Sequence, residues 1–138
     1  ANHVYGTGAA VPALVRAGTD RDHPAIRHAV RWLESRQSGD GGWGEDLRSY
    51  QDASWRGRGT PTASQTAWAL LALLAADGRS PAARRGVDWL VATQRQDGGW
   101  DELEFTGTGF PGDFYIRYHL YALVFPLMAL GRFVRGTA

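Results

Sequence analysis

Proton transfer, metal binding, nucleophilic attack and cation stabilisation each need particular side chains at particular spacings. The four histidines, His3, His23, His28 and His119, form no i, i+4 pair beside a glutamate of the zinc-protease kind. They read instead as surface or helix-end residues. Asp20-Arg21-Asp22-His23 is the nearest thing to an acid motif, but it lies just before Pro24, where acids complement a helix dipole. Asp40 and Asp97 each precede paired glycines and read as turn formers. The alternating oxygen ligands of a calcium loop are missing, and no serine stands in a G-x-S-x-G elbow. With no cysteine, zinc-thiolate sites, disulfides and cysteine nucleophiles are excluded. Gly107-Thr108-Gly109-Phe110-Pro111-Gly112 matches the dinucleotide fingerprint formally. Yet no strand is expected ahead of it, Pro111 removes a backbone donor, and Asp113 would repel a phosphate.

The aromatic residues offer a different chemistry. Phe110, Phe114, Tyr118, Tyr121 and Phe125 are spaced four, four, three and four residues apart. From Phe114 onward this spacing predicts rings on one helical face. Such a stripe reads either as ordinary core packing or as a cavity wall whose ring faces stabilise a passing carbocation. Gln37 and Gln94 fall at predicted helix ends, where the last carbonyls lack partners. A glutamine amide would donate to those carbonyls while Trp43 or Trp100 folds back over the turn, a structural role.

The elements that carry these residues follow from an internal repeat. Residues 24–43 and 81–100 align without a gap at an offset of 57, and 11 of 20 positions are identical. Each copy opens on a proline suited to a first helical turn (Pro24, Pro81) and closes on Asp-Gly-Gly-Trp. Between the copies, Thr62 to Ala76 is apolar on every side and predicts a buried helix, started by Thr60-Pro61-Thr62 and stopped by Gly78. Similar inner helices are expected at roughly Gly8 to Ala17 and Ile116 to Phe133, with Phe105 to Tyr115 a glycine-rich loop. The order inner, outer, inner, outer, inner predicts an all-α fold of helical hairpins, part of an α/α toroid. Five helices do not close such a ring, so its inner helices need neighbours.

Composition narrows the class further. All 15 basic residues are arginine, set against 14 acids, a balance that lacks the footprint of a nucleic-acid binder. The longest apolar runs, Ala67 to Ala76 and Leu120 to Leu130, are shorter than the roughly 18 residues of a membrane span, and the first residues lack a signal-peptide layout.

Arg27 to Trp43 and Arg84 to Trp100 fit the QW repeat: a basic residue, a helix ending in aromatic-Leu, then Gln, then Gly-x-Trp. Tyr5-Gly6-Thr7-Gly8, Gly41-Gly42-Trp43-Gly44-Glu45-Asp46, Ser64-Gln65-Thr66-Ala67-Trp68-Ala69 and the tail from Gly107 to Tyr115, then Phe125-Pro126 and Ala129-Leu130-Gly131-Arg132, resemble the carboxyl end of squalene–hopene cyclases. The resemblance runs from Asn2 to Phe133. It implies a terpenoid cyclase-like fold, a partial α6/α6 barrel, with residues 1–138 as one carboxyl-terminal part of it. It also implies cyclisation of squalene to a hopanoid through a proton-initiated cation cascade, with neither metal nor organic cofactor. By the same resemblance Tyr5 lies near the protonating site, and Phe110, Phe114, Tyr118 and Tyr121 line the substrate cavity. The family's Asp-x-Asp-Asp acid has no counterpart here, so the chain is expected to be a carboxyl-terminal fragment, inactive alone.

Its expected partners are squalene and either the rest of the cyclase or a second copy of itself, and its parent is expected to sit peripherally on the cytoplasmic face of a bacterial membrane. The competing reading is a non-catalytic α/α-toroid module that presents a groove to a protein. A protein prenyltransferase-like subunit is disfavoured, since its zinc ligands include cysteine.

Overall fold

The computed structural model describes residues 2–110 and 112–136. Five helices carry the chain: α1 (His3–Arg16), α2 (Pro24–Arg36), α3 (Ala63–Asp77), α4 (Pro81–Thr93) and α5 (Tyr121–Arg135). Strands β1 (Gly107–Phe110) and β2 (Phe114–Ile116) form a small antiparallel hairpin between α4 and α5. Short 3-10 turns at Leu47–Tyr50 and Ala53–Trp55 occupy the connection from α2 to α3.

The core is built on α3. Thr62 caps its first turn through a 3.2 Å bond from the Gln65 amide, and Gly78 ends it. Every residue from Ala63 to Ala76 is buried. Helices α1 and α5 pack along α3 on either side to make an inner row, and α2 and α4 also pack against it. Complete burial of Leu70 and Leu73 stabilises this arrangement by about 1.5–3 kcal/mol each. The α1–α3 crossing is close because Gly8 has no side chain: a Cβ there would stand 2.6 Å from the Trp68 carbonyl oxygen.

Three expectations need correction. Helix α1 starts at His3 rather than Gly8, because the Asn2 side chain accepts the Tyr5 amide at 2.9 Å and caps the helix there. The Asp20–Asp22 pair does not serve α2, which has no acid in its first turn. The His23 ring accepts the Ala25 amide at 3.2 Å, while Asp20 closes its own turn on the Asp22 amide at 2.8 Å. Finally, the glycine-rich segment is not a loop throughout. Thr108 pairs with Tyr115, and the Thr108 hydroxyl donates to the Phe114 carbonyl at 2.6 Å. This pairing holds the chain extended through Ile116, so α5 begins at Tyr121 and the predicted helix from Ile116 is shortened.

Candidate functional site

Two kinds of aromatic site emerge. The first is repeated at the ends of the outer helices. Gly41 and Gly98 adopt φ of +101° and +87°, which lets each chain reverse sharply after its helix. The Gln37 amide donates to the Gly41 carbonyl at 2.8 Å and to the Ala82 carbonyl of α4 at 2.9 Å, while its oxygen accepts from Arg85. Gln94 donates to the Gly98 carbonyl at 2.8 Å. The helix-end carbonyls expected for these glutamines are taken by the tryptophans instead. Trp43 Nε1 donates to the Leu33 carbonyl and Trp100 Nε1 to the Leu90 carbonyl, both at 2.8 Å. A glutamine placed after the last helical turn reaches forward into the reversal, whereas the returning indole lies over the helix end.

The acids of these turns are held ionised. Asp40 accepts from the Ser38 hydroxyl, the Gly42 amide and the Trp89 indole, which keep its carboxyl below the usual range. Arg95 and then the Gly99 amide do the same for Asp97.

The second site draws on three helices. Tyr5 of α1 packs edge-on to Trp68 of α3 at 4.9 Å between ring centroids. Tyr121 and Phe125 of α5 also meet Trp68 edge-on, at 5.8 and 5.4 Å. Tyr118, in the turn before α5, stacks on Tyr121 at 4.5 Å. Between them lies an open recess of ≈ 220 Å³, walled chiefly by Tyr5, Tyr50, Trp68, Thr108, Tyr118 and Tyr121. Among the described residues no carboxyl group lines it. Partial burial raises the Tyr121 phenol, and the neighbouring Tyr118 and Tyr5 add to the shift. The ring is therefore neutral at physiological pH and presents an unionised π face.

Of the residues expected to line the cavity, the structure brings Tyr5, Tyr118 and Tyr121 together, and Phe125 of the expected stripe packs on Tyr121 at 5.1 Å. Phe110 and Phe114 stand elsewhere, on the two strands of the hairpin, packed on each other at 5.9 Å and 64% and 49% exposed. The helical spacing that joined Phe114 to Tyr118 does not operate along the extended chain of β2. Pro111, within the formal nucleotide fingerprint, lies outside the described residues. The glycines flanking it belong to the hairpin and to the turn after β1 rather than to a strand-to-helix junction. Trp68 is the residue that sequence reasoning missed. It is 3% exposed, and its indole N–H is buried with no hydrogen-bond partner. Its only signal in the sequence was its place in the string Ser64 to Ala69.

Among the described residues no helix is long and apolar enough to cross a membrane, and no group of three or more His, Asp or Glu is placed to hold a metal ion.

The sequence profile of the squalene-hopene cyclase C-terminal domain matches residues 1–135. This chain belongs to that family. Its fold is accordingly that of the terpenoid cyclase α/α toroids. The squalene–hopene cyclase of Alicyclobacillus acidocaldarius is 59% identical over 133 residues, covering 96% of this chain and 21% of that protein. The enzyme of the same name from Bradyrhizobium diazoefficiens is 53% identical over 134 residues, covering 96% of this chain and 20% of its own length. A dammaradiene synthase from Dryopteris crassirhizoma is 43% identical over 147 residues, covering 96% and 22%. The chain thus spans about a fifth of the length of the squalene–hopene cyclases it matches.

Proposed function

We propose that this chain forms part of a squalene–hopene cyclase and supplies one wall of its reaction cavity. The observation that carries this reading is the convergence of Tyr5, Trp68, Tyr118 and Tyr121, from the two ends and the middle of the chain, on a single recess. In such a reaction an acid protonates a terminal alkene of squalene, and the cation then migrates as π bonds attack and rings close. Neutral ring faces lower the energy of each cation by about 2 kcal/mol once water is excluded. Where the rings face the cyclising transition state as well, that is worth more than tenfold in favour of ring closure over premature proton loss. The rings of Tyr5, Tyr118 and Tyr121 carry this role, together with Phe110 and Phe114 where another part of the enzyme closes over the hairpin. Gln37, Trp43, Gln94 and Trp100 act as structural pins.

The acid comes from outside this chain, since the recess is lined by none and the sequence holds no Asp-x-Asp-Asp. Alone, the chain is inactive. The decisive experiment replaces the matching carboxyl-terminal fifth of the Alicyclobacillus enzyme with this chain and extracts the products formed from squalene. Polycyclic triterpenes are expected from the chimera and none from the isolated chain. A soluble, cooperatively melting chimera that leaves squalene untouched would overturn the reading. Because its substrate is a hydrocarbon, the complete enzyme would work at a membrane surface, on the cytoplasmic side.

A second reading draws on α5. Leu120, Leu123, Leu127, Met128 and Val134 are exposed along it and just before it. In a non-catalytic module this face would take a protein partner. In the cyclase it is covered by the remaining helices of the toroid or by a second copy.

A further inference from the structure

The 57-residue repeat extends two positions beyond its tryptophans, to Glu45 and Glu102. The structure gives both glutamates the same task. The Glu45 carboxylate, buried, accepts the His3 amide at the start of α1 at 2.6 and 3.0 Å, and the Gly57 amide at 3.1 Å. The Glu102 carboxylate accepts the Ser64 amide at the start of α3 at 2.9 Å and the Ser64 hydroxyl at 2.6 Å. Each therefore binds the first turn of the inner helix that precedes its own outer helix. There the amides lack intrahelical partners and the dipole favours an anion, a preference that burial outweighs at Glu102.

What each clamp holds is a recess ring. Tyr5 lies two residues after His3, and Trp68 lies four residues after Ser64. Those two rings meet edge-on at 4.9 Å. We propose that Glu45 and Glu102 are paired positioning residues, fixing the first turns of α1 and α3 and thereby the mutual setting of Tyr5 and Trp68. The consequence for turnover rests on the cyclase reading above; the clamps themselves do not.

The two carboxylates differ in what they must be. Both Glu45 oxygens face the His3 amide and lie 3.3 Å from His3 Nδ1, and one also takes the Gly57 amide, so an amide there gives up at least one backbone bond even where its N–H₂ turns to the ring. At Glu102 an amide fits. Its oxygen accepts the Ser64 amide, and its nitrogen donates to the hydroxyl oxygen.

The test uses E45Q, E102Q and E102A. Hydrogen–deuterium exchange in the 138-residue chain reads the clamps directly at segments 2–8 and 63–69. E45Q should speed exchange at 2–8 about tenfold, equivalent to about 1.4 kcal/mol. E102A should do the same at 63–69, while E102Q stays near wild type. In the chimeric cyclase, E45Q and E102A should raise the fraction of incompletely cyclised products and lower kcat more than they change KM; E102Q should not. Unchanged exchange at 2–8 in E45Q, or equal damage from E102Q and E102A, would overturn the clamps. Altered exchange with the wild-type product ratio would overturn the positioning role. Should E45Q fail to fold, the E102Q–E102A contrast decides alone. A wild-type chimera that makes no cyclic product would sink the cyclase reading, and the exchange arm would still decide the clamps.

Discussion

Truncating Trp43 to alanine removes a fully buried ring and leaves the Leu33 carbonyl without its donor. Both losses act on the folded state, so the expected cost is about 3–5 kcal/mol. Trp100 holds the equivalent bond to Leu90, and Trp100→Ala should fall in the same range. Tyr121 is different, because the recess leaves part of its surroundings empty. Tyr121→Ala should lower the melting temperature less than either tryptophan change, yet shift the product mixture of the chimeric cyclase toward partly cyclised species. Melting curves beside product profiles check this, and equal melting losses with unchanged products would return Tyr121 to plain core. The two pinning tryptophans were legible because the repeat exposes them twice. Trp68 was not: in a helix buried on every side, periodicity cannot single out one residue. Its role depends on rings arriving from α1 and α5, which no local pattern encodes.

At the scale of elements, Gly-Gly turns, capping residues and the all-apolar α3 were readable because each depends on neighbours in sequence. The hairpin was not. Its strands are too short for an alternating pattern, and Gly107 and Gly109 have weak strand preference. The start of α1 was obscured by Gly6 and Gly8, residues that count against a helix although the α1–α3 crossing requires the second of them. The turns themselves predict an acid response. Asp40 and Asp97 have carboxyls lowered by the bonds they accept, as do Asp46 and Asp52 in the following connection. A lowered folded-state value means stability that is full above the unfolded value of about 4 and lost as pH falls through the folded one. Glu102 runs the other way. Burial raises its carboxyl, so its contribution weakens as pH rises through that range. Below about pH 4 the four lowered aspartates are the groups whose protonation costs stability, and the melting temperature should fall on acidification there. Asp97→Asn should lower the melting temperature at neutral pH and flatten its fall in acid; an unchanged acid limb would remove Asp97 from the account.

The whole molecule presents an imbalance between its inner helices. Helix α3 is enclosed by its neighbours, whereas Leu127 and Val134 of α5 stay exposed with apolar residues beside them. Contiguous apolar surface beyond a few hundred Å² marks an interface. Isolated in solution, the chain should therefore self-associate, and Leu127→Glu should shift it toward monomer in sedimentation velocity; a wild-type monomer that excludes hydrophobic dye would contradict this. The toroidal class was readable from the alternation of buried and half-exposed helices, but nothing local fixes which surfaces remain open. The bare indole of Trp68 has a further use. The Trp43 and Trp100 indoles are each tied to a carbonyl oxygen, whereas that of Trp68 has none. In a nitrogen-15 correlation spectrum the first two resonances sit downfield and stand still when the recess fills. The third should sit upfield and, because the Trp68 ring walls the recess, should shift when a hydrocarbon enters, which would give this chain its own occupancy gauge, readable without a single turnover.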